Sequence, residues 1–200
     1  MKKREIDIFG ILLGVVIGCI LGFFLSSRIN LSNNNGEEMV MSEQGNVHLL
    51  QIAKLDDHTE AINLLTELEK KGLNAVIVNK GNNYYYIFGG IASKSEDLVS
   101  IEAEFYDKGY TGIRIVKEYL LDKTNAVIEN DQEYEFWSEC INSLLDSLDN
   151  KSFEVSENFV KQKVDYELRF IILALREEYN EKLLKDLQLD AYQIIVEKLG

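Results

Sequence analysis

The first strong pattern along the chain is an uninterrupted apolar run near its beginning. Every residue from Ile8 to Leu25 is apolar or glycine, and none is charged. At about 1.5 Å of rise per residue, a helix of this length approaches the roughly 30 Å hydrocarbon core of a bilayer. A surface helix of a globular domain would instead keep a polar stripe. The pattern therefore predicts a transmembrane helix over residues 8–27.

The charges beside this run predict its orientation. Lys2, Lys3 and Arg4 precede the run, whereas Arg28 is the one nearby cation after it. Because positive charge collects on the cytoplasmic side of membrane helices, we expect residues 1–7 to be cytoplasmic. The bulk of this single-pass protein would then lie on the extracytoplasmic side of the membrane.

Two kinds of processed leader are the alternatives to an uncleaved anchor. A cleaved signal peptide has a shorter apolar region that ends in a small-x-small site. The segment Val16–Cys19 resembles the lipobox at which bacterial lipoproteins are cut and lipidated on the cysteine. The chain continues as an apolar run, Ile20–Leu25, where a lipoprotein usually has small or polar residues. This continuation favours the uncleaved helix.

The pattern after the anchor predicts a linker and then an internal repeat. Residues 28–46 are rich in Asn, Ser, Gly and Glu and show no period, which is typical of a flexible linker. Within residues 47–119, two halves follow each other 36 to 37 residues apart, and each reads as strand, helix, strand. Lys71-Gly72 ends the first helix as Lys108-Gly109 ends the second, and glycine is the usual residue after a helix end.

The repeat predicts an α+β fold of order βαββαβ. Thr59 is the expected N-cap of the first helix, and the turn between the halves contains Gly81. Two such halves form a four-stranded antiparallel sheet, with both helices on one face and the other face open. The expected helix contacts with the core are Ala61, Ile62, Leu64, Leu65 and Leu68 in the first helix and Leu98, Ile101 and Phe105 in the second.

The last part of the chain, residues 120–200, has the period of three amphipathic helices. Ser156 is the expected N-cap of the middle helix, with a turn at Asn150 before it. The six apolar residues Phe170–Leu175 are too few to cross a membrane and therefore predict core. This all-α region could close a small bundle, or form an extended hairpin that pairs with a partner or with another copy.

Charge and cysteine content exclude some classes of function. The chain has 34 acidic and 21 basic residues and a net charge of −13. Such a protein repels nucleic acid. The two cysteines, Cys19 in the apolar run and Cys140 on a predicted helix, are not placed to pair, so no disulfide framework is expected.

The repeat resembles the SPOR domain, the septal peptidoglycan-binding module of bacterial division and sporulation proteins. The family's first strand ends in a Gln-x-Gly-x-Phe-like pattern, which matches Gln51–Leu55 with the glycine and the aromatic residue replaced. Its third strand carries Tyr-Arg-Val-x-Val-Gly-Pro-Phe, which matches Tyr84–Ile91. Gly89 is retained, whereas Tyr85 stands at the arginine position and Gly90 at the proline. The resemblance covers about 70 of the 200 residues and implies a ferredoxin-like βαββαβ domain.

Strand alternation predicts which residues face the open side of the sheet, because successive side chains of a strand point to opposite faces. Leu50 and Ile52 would lie under the helices, and the repeat places Tyr86 and Phe88 there too. The residues expected on the open face are Gln51, Ile77, Tyr85, Ile87 and Arg114. An aromatic ring, an amide and a guanidinium suit a sugar chain. SPOR domains bind glycan strands without stem peptides, so the resemblance implies the same ligand here.

The sequence shows no constellation typical of an enzyme. The two histidines, His48 and His58, have no metal-ligand spacing to a second histidine or cysteine. No nucleophile with a partner base and no phosphate-binding glycine loop is visible, so we expect neither catalysis nor a cofactor.

Together, these patterns predict a protein of the bacterial cell membrane that binds peptidoglycan glycan strands at division or sporulation septa. The alternative is an envelope scaffold, without catalysis, whose SPOR-like fold and helical C-terminus bind a protein partner.

Overall fold

A computed structural model describes residues 45–123, 130–177 and 180–199. The predicted cytoplasmic N-terminus, transmembrane helix and most of the linker lie outside these residues. Within the described ranges, no helix is long and apolar enough to span a bilayer.

The described chain begins with four strands and two α-helices. They are β1 (Asn46–Leu55), α1 (His58–Lys70), β2 (Val76–Asn79), β3 (Tyr85–Ala92), α2 (Val99–Asp107) and β4 (Arg114–Tyr119), with a 3₁₀ turn, Ser95–Leu98, leading into α2. Four further helices follow: α3 (Asp131–Leu148), α4 (Glu157–Lys161), α5 (Tyr166–Ala174) and α6 (Glu181–Leu199).

The four strands form one antiparallel sheet in the order β2-β3-β1-β4. The predicted α+β class, antiparallel sheet and βαββαβ order are therefore confirmed. Because β1 is central, it pairs with β3 on one side and β4 on the other.

Local capping explains where the first helices begin and end. Asp57, rather than the predicted Thr59, caps α1, and its Oδ1 accepts from the Glu60 backbone N–H at 2.8 Å. Gly72 and Gly109 follow α1 and α2 with φ of +77° and +88°, as the predicted helix ends require. Asp57 directly precedes His58, the first helical residue, and so occupies the N-cap position that was predicted for Thr59.

The face of the sheet predicted to be open is covered by the C-terminal helices. Strand residues and helix residues form one apolar cluster there, which includes Val47, Leu49, Val78, Phe88, Trp137, Leu144, Tyr192 and Ile195. A second cluster fills the space between the other face and the helices α1 and α2. The expectation of an open face is therefore wrong, because the strands are apolar on both sides and the amphipathic helices bury their stripes against the second side.

The C-terminal helices thus form a layer over the sheet instead of a separate bundle. Residues of the predicted domains 47–119 and 120–200 share one core, and the described residues form one compact unit. The middle predicted helix is divided into α4 and α5, and the Arg169 guanidinium donates to the backbone carbonyls of Val160 and Gln162 at the break. Ser156 caps α4 as predicted, accepting from the Phe159 N–H at 3.1 Å.

The two edges of the sheet differ. At the β2 edge, Gln193 of α6 donates from Nε2 to the Ile77 carbonyl at 2.9 Å. At the β4 edge, no described helix or strand is paired with the outer side of the strand.

Candidate functional site

The structure brings two of the five predicted glycan-binding residues together on the face that the C-terminal helices cover. Gln51 of β1 and Arg114 of β4 are register partners, and the Arg114 guanidinium donates to Gln51 Oε1 at 3.3 Å. Gln51 is only 6% exposed, whereas Arg114 is exposed at the sheet edge. Of this pair, only the guanidinium offers a free surface to a ligand.

The other three predicted residues lie on the opposite face. Ile77, Tyr85 and Ile87 pack against the cluster beneath α1 and α2. Ile87 has no exposed surface, and the Tyr85 ring lies 4.9 Å from the His58 ring. The five residues therefore do not form one binding surface.

Irregular pairing between β1 and β3 explains why the prediction placed these side chains on the wrong face. The register shifts between Leu49 and Gln51 and again between Gln51 and Ala53. Each shift adds a residue to one strand and reverses the alternation of faces beyond it. Phe88 consequently faces the C-terminal helices, and Ile87 faces α1 and α2.

Two consecutive glycines occupy one of these irregularities. A Cβ added at Gly89 would lie 2.4 Å from Phe105 Cζ, and one added at Gly90 would lie 3.2 Å from Leu98 and Ile101. Both positions face the second helix, so the strand needs residues without side chains to approach it.

An ionic network joins the sheet to the C-terminal layer. Glu118 of β4 accepts from Lys80 Nζ at 2.5 Å and from the Tyr192 hydroxyl at 2.7 Å, and Lys123 Nζ lies 3.2 Å from its other oxygen. Burial raises the pKa of Glu118, but the hydrogen bonds from Lys80 and Tyr192 and the charges of both lysines outweigh this, so its pKa lies below the ordinary value. Since all three partners hold the carboxylate in its ionised form, the network is structural and offers no free acid or base.

A polar cavity of about 950 Å³ lies at the end of the sheet where β1 begins and β3 ends. Its charged and polar lining comprises Asn46, His48, Ser93, Lys94, Ser95, Glu96, Lys117, Asn142, Asp146, Asp149 and Lys151. His48 donates from Nδ1 to the Ser93 carbonyl at 3.0 Å, and Asp149 is paired with Lys151 at 2.7 Å. This lining supplies hydrogen-bond donors and acceptors and side chains of both charges, but the described lining includes no Phe, Tyr or Trp ring on which a sugar could stack.

Two further observations concern the cysteine and the possible metal-ligand side chains of the described chain. Cys140 is buried in the C-terminal layer, and burial raises the pKa of its thiol, which keeps it protonated. Within the described part of the chain, no three His, Cys, Asp or Glu side chains are grouped to hold a metal ion.

Comparisons with protein-family models, with curated proteins and with solved structures find no match to this chain.

Proposed function

We propose that this protein is a membrane-anchored scaffold of the bacterial cell envelope that binds a protein partner and performs no catalysis. In support of this, the sequence predicts an anchor whose orientation would put the folded part on the outer side of the membrane. The βαββαβ order supports the likeness to the SPOR domain, and the C-terminal helices belong to the same folded body.

One observation carries this choice of scaffold over glycan binding: the sheet face expected to hold a glycan is closed by the protein's own helices. Leu49 and Phe88 on that face are at most 1% exposed, and Gln51 is 6% exposed. A glycan would reach them only if the helical layer detached from a core that includes Trp137, Tyr192 and other large side chains. Such a separation would expose many apolar side chains, each worth roughly 1.5–3 kcal/mol when buried.

A second candidate is the binding of peptidoglycan glycan at division or sporulation septa. It is favoured by the polar cavity, whose amides and carboxylates are the groups that hydrogen-bond sugar hydroxyls. Asn142 lines this cavity and is exposed, so it is a suitable position for testing the candidate.

Retention on purified peptidoglycan separates the two candidates. The full chain in detergent would be mixed with cell walls from which stem peptides have been removed, and in parallel with intact walls. The scaffold proposal expects no enrichment on stripped walls relative to intact ones. Enrichment that Asn142→Ala or Arg114→Ala reduces would overturn it in favour of glycan binding.

Chemical cross-linking in living cells tests the scaffold directly. We expect a reproducible cross-linked species between the full chain and a second envelope protein, identified by mass spectrometry. A chain that yields only uncross-linked monomer in growing, dividing and sporulating cells contradicts the proposal.

A further inference from the structure

Among the residues that the structure describes, none pairs with the backbone groups along the outer edge of β4. The Leu120 N–H donates to the Gly45 carbonyl at 2.9 Å, and the register continues along the two strands from Asn46 with Tyr119 to Gln51 with Arg114. In an antiparallel pair, the backbone groups of alternate residues point toward and away from the partner strand. Since the Leu120 N–H points toward β1, the N–H and C=O groups of Ile115, Lys117 and Tyr119 point away from β1, toward the free edge.

These outward groups have no partner within the described chain. Among the described residues, none forms a hydrogen bond to them across the free edge. The opposite edge of the sheet is different, because Gln193 covers the Ile77 carbonyl there. An exposed row of unpaired N–H and C=O groups is a template for one more strand.

The charge along this edge is positive in a protein whose net charge is −13. Arg114 and Lys117 are exposed, whereas the one acid of the strand, Glu118, is engaged by Lys80 and Lys123. Within the described chain neither Arg114 nor Lys117 has an acidic partner, so a strand that pairs here gains from acidic side chains opposite these two cations.

A second copy of the chain fits the edge poorly. When two β4 strands pair antiparallel through their outward groups with the greatest overlap, Lys117 lies directly opposite Lys117 of the other copy. Like charges placed directly opposite in neighbouring strands are destabilising. Lysine on an edge strand is a common protection against such self-pairing.

We propose that the β4 edge binds an extended acidic segment of the protein partner, which joins the sheet as a fifth strand beside β4. This inference rests on the proposed scaffold function and names the surface that performs it. The backbone groups of Ile115, Lys117 and Tyr119 supply the hydrogen bonds, and Arg114 and Lys117 select for acidic side chains. Lys117 also lines the polar cavity, so one face of the added strand adjoins that cavity.

Fluorescence anisotropy with a synthetic strand tests the proposal. The probe is a fluorescein-labelled hexapeptide with glutamate at its second and fifth positions and valine elsewhere, because Arg114 and Lys117 lie three residues apart and therefore on opposite faces of β4. It is blocked at both ends and titrated with the full chain in detergent. We expect saturable binding, with gained protection from hydrogen exchange confined to residues 114–119. The same peptide with lysine in place of glutamate should bind at least tenfold more weakly.

Two substitutions of Lys117 separate the contribution of the backbone hydrogen bond to peptide binding from that of the side-chain charge. Lys117→Pro removes an outward N–H without breaking the pairing with β1, and Lys117→Glu reverses the charge. Each should weaken binding at least tenfold. Lys163→Glu makes the same charge change at an exposed site between α4 and α5 and should leave affinity within twofold. If circular dichroism shows that the proline variant does not fold, the affinity of the glutamate variant still tests the proposal.

Several outcomes would overturn the inference. One is the absence of saturable binding up to millimolar peptide, in which case Lys117 serves only to protect the edge. Two others are equal affinity for the lysine peptide and protection from hydrogen exchange at residues outside β4. A further one is a dimer in analytical ultracentrifugation that Lys117→Pro abolishes, because it would assign the edge to a second copy. If Lys117→Pro leaves the cross-link to an envelope partner unchanged, the β4 edge is not the docking surface, but the scaffold proposal stands. If the peptide binds at β4 but no partner is cross-linked in cells, the edge binds strands but the scaffold proposal fails.

Discussion

Shortening Leu49 to alanine tests whether the C-terminal helices are an integral part of the sheet domain. Leu49 lies on the face that was expected to be open, yet it has no exposed surface and belongs to the cluster shared with the helices. Removing a fully buried leucine side chain beyond Cβ costs roughly 2–5 kcal/mol, because burial is lost and a cavity is left. On an open face the same change would cost about 0.5 kcal/mol or less.

Urea denaturation of the full chain in detergent measures this cost. The single tryptophan, Trp137, reports on the helical layer, and far-ultraviolet circular dichroism reports on the whole domain. For Leu49→Ala we expect a midpoint lower by about 1–2 M, given a urea dependence of about 1–3 kcal/mol per molar. Both probes should give the same midpoint, because one core should unfold in one transition.

Val99→Ala is the matched control, since Val99 is an apolar residue that is 57% exposed. Its midpoint should stay within experimental error of the wild type. The reasoning would be refuted if Leu49→Ala behaved like this control, or if Trp137 fluorescence changed at a different urea concentration from the circular dichroism. Either result would mean that the helices do not cover the sheet in solution.

Three further substitutions test other parts of the structure. Because the pKa of Glu118 is lowered in the folded state, its contribution to stability is present above the unfolded-state value of about 4.3 and is lost as the pH falls through the folded-state value. Glu118→Gln should therefore cost about 2 kcal/mol at pH 7 and make urea midpoints less dependent on pH below about 5, and an unchanged pH profile would contradict the network. Gly89→Ala should lower stability by about 1–3 kcal/mol because its Cβ would overlap Phe105, and calorimetry showing no loss would mean that the strand and helix are farther apart. Asp57→Ala should cost about 1 kcal/mol through loss of the N-cap, whereas Thr59→Ala should cost less, and the reverse order in thermal denaturation would restore the threonine cap.

The order of the strands and first helices could be predicted because the signals are local. Each half of the repeat has its own apolar periodicity, and Gly72 and Gly109 follow their helices as expected. Choosing the face of each side chain was harder, since this depends on register, which is a property of two strands at once. The pair Gly89-Gly90 was the available signal, because glycine inside a strand often accompanies a bulge or a close approach of another element.

The covering of the sheet could not be predicted from alternation alone. The β1 strand carries apolar residues on both faces, and Leu49 and Leu50 are both fully buried. A strand apolar on both sides is expected in a sheet with two covered faces, so the pattern contained the signal. The assignment of Ile87 and Gln51 to a binding surface failed because it assumed that one face needed no cover.

The central position of β1 determines how the fold carries mechanical load. The chain enters the sheet at Asn46, directly in the strand that is hydrogen-bonded to β3 on one side and β4 on the other. A pull on the N-terminal chain along the strand must slide β1 past both neighbours together, whereas an edge strand would peel away one bond at a time. If the predicted anchor fixes that end in the membrane, tension between the membrane and a bound partner acts on the most strongly held strand of the domain.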